Sequence, residues 1–162
     1  MKNVFIGSML VLGGLLTAQA QCKTVSDINE NFDNWAAIDK CWHVDGGEAM
    51  LYHKEGRIVF YSMMNPEEKM TLSTPKVKAG KYSLSFDALN KGSKATLVLY
   101  RIENPSDLST LKTISKEIEI TEGTRNFTVT LPVDAHIGFK VVLTGIHHAF
   151  YIDNVALKVI SE

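Results

Sequence analysis

The chain has 162 residues, a net charge of −1 and 45% hydrophobic residues. That is enough for one domain with a real core and too short for two comfortable ones. The near-neutral charge leaves no electrostatic footprint for nucleic acid or an anionic membrane surface.

The N-terminus has the pattern of a secretory signal peptide. Lys2 supplies the positive region, Val4 to Leu16 the apolar stretch, and Ala18-Gln19-Ala20 the small residues at a cleavage site. Cleavage after Ala20 would leave residues 21–162 as a single domain, secreted or periplasmic. The apolar run is short for a bilayer span and no later run is long enough, so no membrane insertion is expected after cleavage; a retained anchor is the alternative. A lipoprotein would need a small residue directly before Cys22, where Gln21 stands. Cys22 and Cys41 are the two cysteines of the chain. In an oxidising compartment two cysteines usually pair. Two free thiols are the alternative.

Further along, helical periodicity is scarce and strand signals recur between turn residues. Short strands are expected at 49–52, 57–61 and 70–72, with Asn65 to Lys69 as a loop and Thr74-Pro75 ending the strand before it. Lys81 to Ala88 alternates, placing Tyr82, Leu84, Phe86 and Ala88 on one face and Asp87 on the other. Lys94 to Ile102 is apolar on both faces, as for a central strand. Lys112 to Ile120, Asn126 to Leu131 and Ile137 to Leu143 complete the series. Eight or so strands at this spacing predict an all-β, antiparallel sandwich of jelly-roll type. The closing strand, Phe150 to Ile160, shifts phase: Phe150 and Ile152 share one face, then Val155, Leu157 and Val159 do. A β-bulge at Asp153-Asn154 accounts for the shift and would turn Asp153 toward the sheet rim.

Three stretches carry a family resemblance: Glu30-Asn-Phe-Asp33 followed by Trp35; Leu72-Ser-Thr-Pro75 with Tyr82 to Ala88; and Phe150-Tyr-Ile-Asp-Asn-Val155. In this order they resemble the cleaved-adhesin, or choice-of-anchor J, domains of secreted Bacteroidetes-type proteins. More loosely they look like the galactose-binding-like jelly rolls that include many carbohydrate-binding modules. The resemblance spans the chain from about Glu30 to Val159 and rests on short motifs. It implies a structural calcium between the first and closing strands, with Glu30 and Asp153 as ligands and Asp33 as a third candidate. Calcium takes several carboxylate and carbonyl oxygens in flexible geometry. The alternative is that Asp153 caps backbone amides at the bulge without a metal. The cysteine pair is not part of the family pattern.

Signals for catalysis are missing from the sequence: no nucleophile elbow and no glycine-rich phosphate loop occur. His147-His148 would point to opposite faces if in a strand; His43, His53 and His136 lack metal-ligand spacing. No carboxylate pair is marked by its surroundings. Aromatic rings are the stronger lead, because sugar-binding sandwiches stack Trp and Tyr faces on pyranose rings. Trp42, Tyr52 and Tyr61 are the candidates, with packing against the cystine the other role open to Trp42. Tyr100 is assigned to sheet packing. The expectation is a secreted, non-catalytic module whose partner is a carbohydrate or a cell-surface protein. A purely structural or adhesive module and, further off, a small hydrolase are the alternatives.

Overall fold

The computed structural model describes residues 22–34, 41–45, 50–63, 67–90, 92, 94–105 and 107–160. The signal-peptide expectation, on residues 1–20, and Trp35 lie outside them. Twelve strands occur among the described residues: β1 Ile28–Glu30, β2 His43–Asp45, β3 Met50–Lys54, β4 Arg57–Ser62, β5 Glu67–Ser73, β6 Gly80–Asn90, β7 Lys94–Ile102, β8 Lys112–Thr113, β9 Ile118–Glu119, β10 Gly123–Leu131, β11 His136–Thr144 and β12 His148–Val159. One short 3₁₀ turn, Leu108–Thr110, interrupts them.

The strands form two sheets. The first has the order β10-β6-β12-β4-β3, with β1 also paired to β12; the second has the order β2-β5-β11-β7-β8, with β9 also paired to β7. Every strand pairing is antiparallel. The inward faces supply one core, and alternation decides which residues enter it. From β6 come Tyr82, Leu84, Phe86 and Ala88; from β7, Ala95, Leu97 and Leu99; from β11, Ile137, Phe139, Val141 and Leu143. Phe86 of the first sheet meets Phe139 of the second edge-on at 5.4 Å between centroids. That geometry suits the ring quadrupoles and fastens the layers together.

The expected antiparallel jelly-roll sandwich is therefore present, with three local corrections. Glu67 to Lys69 are not loop: they continue β5 and pair with Val142 to Thr144, because Glu67 and Lys69 stay open to solvent without leaving the ladder. Lys112 to Ile120 is not one strand but two short ones, both held to β7. Val159 shares a phase with Val155 and Leu157 yet is 58% exposed, since it lies at the strand end beyond the core.

Cys22 and Cys41 form a disulfide, with Cα atoms 5.5 Å apart. The bridge fixes the N-terminal segment beside Trp42. Val25 continues that attachment through hydrogen bonds with Lys76 and Lys78.

A candidate ligand groove and a bulged strand

The bulge lies where expected. The β12–β6 register shifts between Asp153 and Ala156, and Asn154 adopts a positive φ of 49°, a conformation asparagine tolerates better than most residues. On its other side β12 changes neighbour at the same point. Ile152 pairs with β4 and Val155 pairs with β1. The shift keeps Phe150, Ile152, Val155 and Leu157 all buried while Asp153 faces the outer surface.

The sequence-predicted carboxylates are drawn to this region, and each has a protein partner. Glu30 Oε1 accepts the amide of Phe32 at 2.9 Å. Asp33 Oδ2 accepts Asn31 Nδ2 at 2.7 Å, and the side chain lies against Gly56, whose φ is +70° and where an added Cβ would stand 2.6 Å from Asp33 Oδ1. Asp153 Oδ1 accepts the amide of Asn154 at 2.7 Å, and its Oδ2 lies 3.5 Å from Arg57 Nε. Among the described residues no group of three His, Cys, Asp or Glu side chains could hold a metal. Calcium also takes backbone carbonyls and waters, which would have to complete any set built on these carboxylates, and the Arg57 guanidinium stands beside Asp153 as a neighbouring cation.

Beside Asp153 the bulge opens a shallow groove of about 380 Å³ that also takes in Asp87, Glu122, Thr124 and Tyr151. Asp87 accepts the Thr124 hydroxyl at 2.7 Å and Asn154 Nδ2 at 2.9 Å. These two bonds, the Thr124 one foremost, hold its carboxyl below the usual carboxylate range.

The predicted aromatic trio is divided. Trp42 is only 4% exposed and its ring stands edge-on to Phe32 at 5.1 Å. A ring inside the core has no face for a ligand, so its role is packing. Tyr52 and Tyr61 do share the outer face of the first sheet. Tyr52 is 38% exposed, and the Tyr61 hydroxyl is 2.9 Å from His147 Nδ1. His147 lies on the turn before β12 with φ 58°, so it and His148 do not project as neighbours along one strand.

A second groove, of about 400 Å³, crosses the outer face of the second sheet and went unrecognised in the sequence. Its floor is the outward phase of β7 and β11: Thr96, Val98 and Tyr100 beside Lys140, Val142 and Thr144. Glu67 and Lys69 of β5 border one side and Glu117 the other. The Lys140 ammonium sits 5.4 Å from the Tyr100 ring centroid, a cation–π distance. Lys69 is paired with Glu67 at 3.0 Å. Among the described residues, neither Lys140 nor Glu117 has an oppositely charged side chain within 4 Å. Both keep hydrogen-bonding capacity for a ligand. Tyr100 was assigned to packing because Val98 and Ile102 flank it in the same phase; those two are buried, but the tyrosine ring is only half so. No local signal marks it: Lys140 comes beside it through the pairing of β7 with β11, which sets Gly138 opposite Tyr100 and Lys140 opposite Val98.

No family model matches this chain, and no curated protein matches it significantly. Its fold is shared with several solved structures. A cleaved adhesin domain of Lys-gingipain from Porphyromonas gingivalis has a TM-score of 0.60 at 15% identity, over 81% of this chain and 97% of that one. A second adhesin domain of the same protein has a TM-score of 0.56 at 17% identity, over 85% and 100%. A mutant of a family 29 carbohydrate-binding module has a TM-score of 0.51 at 14% identity, over 82% and 91%. The jelly roll is thus that of adhesin domains and carbohydrate-binding modules.

Proposed function

We propose that the protein is an exported, non-catalytic module that binds a neutral glycan in the groove over Tyr100. The carrying observation is the pairing of a half-buried tyrosine floor with Lys140 and Glu117, an ammonium and a carboxylate free of each other. A pyranose offers C–H faces to a ring and hydroxyls that both donate and accept. The lining holds two lysines and two glutamates, so it presents no net charge to favour a charged ligand. Use of the same fold by carbohydrate-binding modules supports the reading, and its use by adhesin domains supports a surface setting. The disulfide fits an oxidising compartment. Residues 1–20 act in this proposal as the signal peptide. Tyr52 and Tyr61, on the opposite face, are assigned to contacts with a partner surface.

A glycan array tests the reading. Tyr100→Ala should abolish binding, a loss of at least tenfold, with the fold kept by circular dichroism. Tyr52→Ala with Tyr61→Ala should leave it intact. The reverse pattern would move the site to the first sheet, and failure of every glycan would leave the protein-contact alternative.

Calcium at Glu30, Asp33 and Asp153 is the second element of the proposal. Such an ion would have to displace Arg57 from Asp153. Binding to the native state alone would stabilise by about 2.7 kcal/mol at a hundredfold excess over Kd. A chelator should then lower the melting temperature, and Asp153→Ala should remove that response. An unchanged melt after verified metal removal would assign Asp153 to capping the Asn154 amide and pairing with Arg57.

A further inference from the structure

We propose that the groove over Tyr100 is blind at one end and recognises the terminus of a glycan chain, not its interior. The inference rests on the glycan reading of that groove and specifies which part of the polymer it takes.

The groove runs along β11, and the outward residues of the second sheet form successive rows across it. One row is Glu67, Thr144 and Lys94; the next Lys69, Val142 and Thr96; then Thr71, Lys140 and Val98; then Ser73, Gly138 and Tyr100; and Ile102 beside His136 follows. Two residues along a strand advance about 6.7 Å, so the distance from the first row to Tyr100 is about 20 Å. Exposure is greatest at the first row and lowest past Tyr100, with Thr71 and Val98 buried in the floor between. Glu67, Thr144 and Lys94 are open to solvent, and Val142, Thr96, Lys140 and Tyr100 are half-buried. Ser73, Gly138, Ile102 and His136 all face outward, away from the core between the sheets, and yet all are buried.

Burial of an outward-facing residue means that side chains of its own face, or of a neighbouring segment, close over it. His43, from the edge strand β2, stands against His136 at 5.2 Å between ring centroids. On the same outer face the Ile102 and Thr71 side chains close over Gly138: a Cβ there would fall 2.5 Å from Ile102 Cδ1 and 3.4 Å from Thr71 Cγ2. The sheet face is thus sealed beyond Tyr100 and open beyond Thr144. A chain lying on the Tyr100 ring can extend toward Glu67 and Thr144 but cannot continue past His136. A volume of about 400 Å³ is at the small end for ligand sites and holds about two pyranose rings.

End recognition has a readout that interior recognition lacks, because ends and mass can be varied separately. The probes are a β-1,4-glucan, a β-1,4-mannan and a β-1,4-galactan, each split into a long and a tenfold shorter fraction and offered at equal mass to the wild-type protein. For whichever polymer binds, the short fraction should titrate about tenfold more protein, in proportion to its ends. Affinity for soluble oligomers should stop rising beyond two or three units. Lys140→Met, which keeps the aliphatic stem and removes the charge, should weaken both fractions equally if the groove is the site. Equal capacity of long and short fractions would overturn end recognition while leaving the glycan reading standing. Binding of none of the three in either fraction would overturn the inference and count against the glycan reading, which the array then judges on its own.

Discussion

His136 shows how one buried side chain ties stability to pH. Its Nδ1 lies 2.7 Å from the Thr74 carbonyl, so that nitrogen carries the proton and donates. Burial holds the imidazole pKa below its ordinary value. The Thr74 bond pulls the other way, and the nearby His43 and Lys76 push down further. The unfolded histidine takes up a proton below about 6.5, whereas the folded one resists until lower pH. Its contribution is therefore complete above that value and is lost as pH falls through it toward the folded pKa. Each unit of depression corresponds to about 1.4 kcal/mol. Asp87 acts in a separate window, since a depressed carboxylate loses its contribution only below the ordinary carboxylate range. Urea midpoints should therefore be lower at pH 5 than at pH 7.5, and His136→Gln should flatten the difference. A wild-type midpoint that does not move over that interval would exclude this role.

Among the elements, the legible ones were those whose alternation was uninterrupted. Lys94 to Ile102 was read with its observed bounds, and β6, β10 and β11 followed from the phases of Tyr82, Phe127 and Ile137. The bulge was legible because one extra residue inverts the phase of everything after it. Sheet order and outer-face neighbours were not legible. Nothing local to Tyr100 says that Lys140, forty residues on, will lie beside it. Likewise nothing local to Trp42 says that Phe32 will take its ring. The cystine was legible from compartment and count, and its effect is predictable. Closing a short loop around β1 should contribute about 3 kcal/mol by restricting the unfolded chain. Replacing Cys22 and Cys41 together by Ser should lower Tm by about 10 °C and raise hydrogen exchange in Ile28–Glu30. A double variant that melts with the wild type would show that core packing alone orders this end.

For the whole molecule, the proposed export is tested at the mature terminus. The product recovered after secretion should begin at Gln21, as read by intact mass. An unprocessed chain beginning at Met1 in the membrane fraction would contradict it. The bridge also decides how the domain would carry load. β1 lies wholly inside the covalent loop between Cys22 and Cys41, so tension arriving at Cys22 passes through the two sulfur atoms to Cys41 and bypasses β1. The next element to take it is β2, on the second sheet, whereas tension at the far end enters through β12 on the first. A pull on the two ends cannot peel β1 from β12 one hydrogen bond at a time. It loads β2 first, the edge strand of the second sheet, held to β5 along His43–Asp45. The cystine thereby moves the first point of failure from β1 on one layer to β2 on the other.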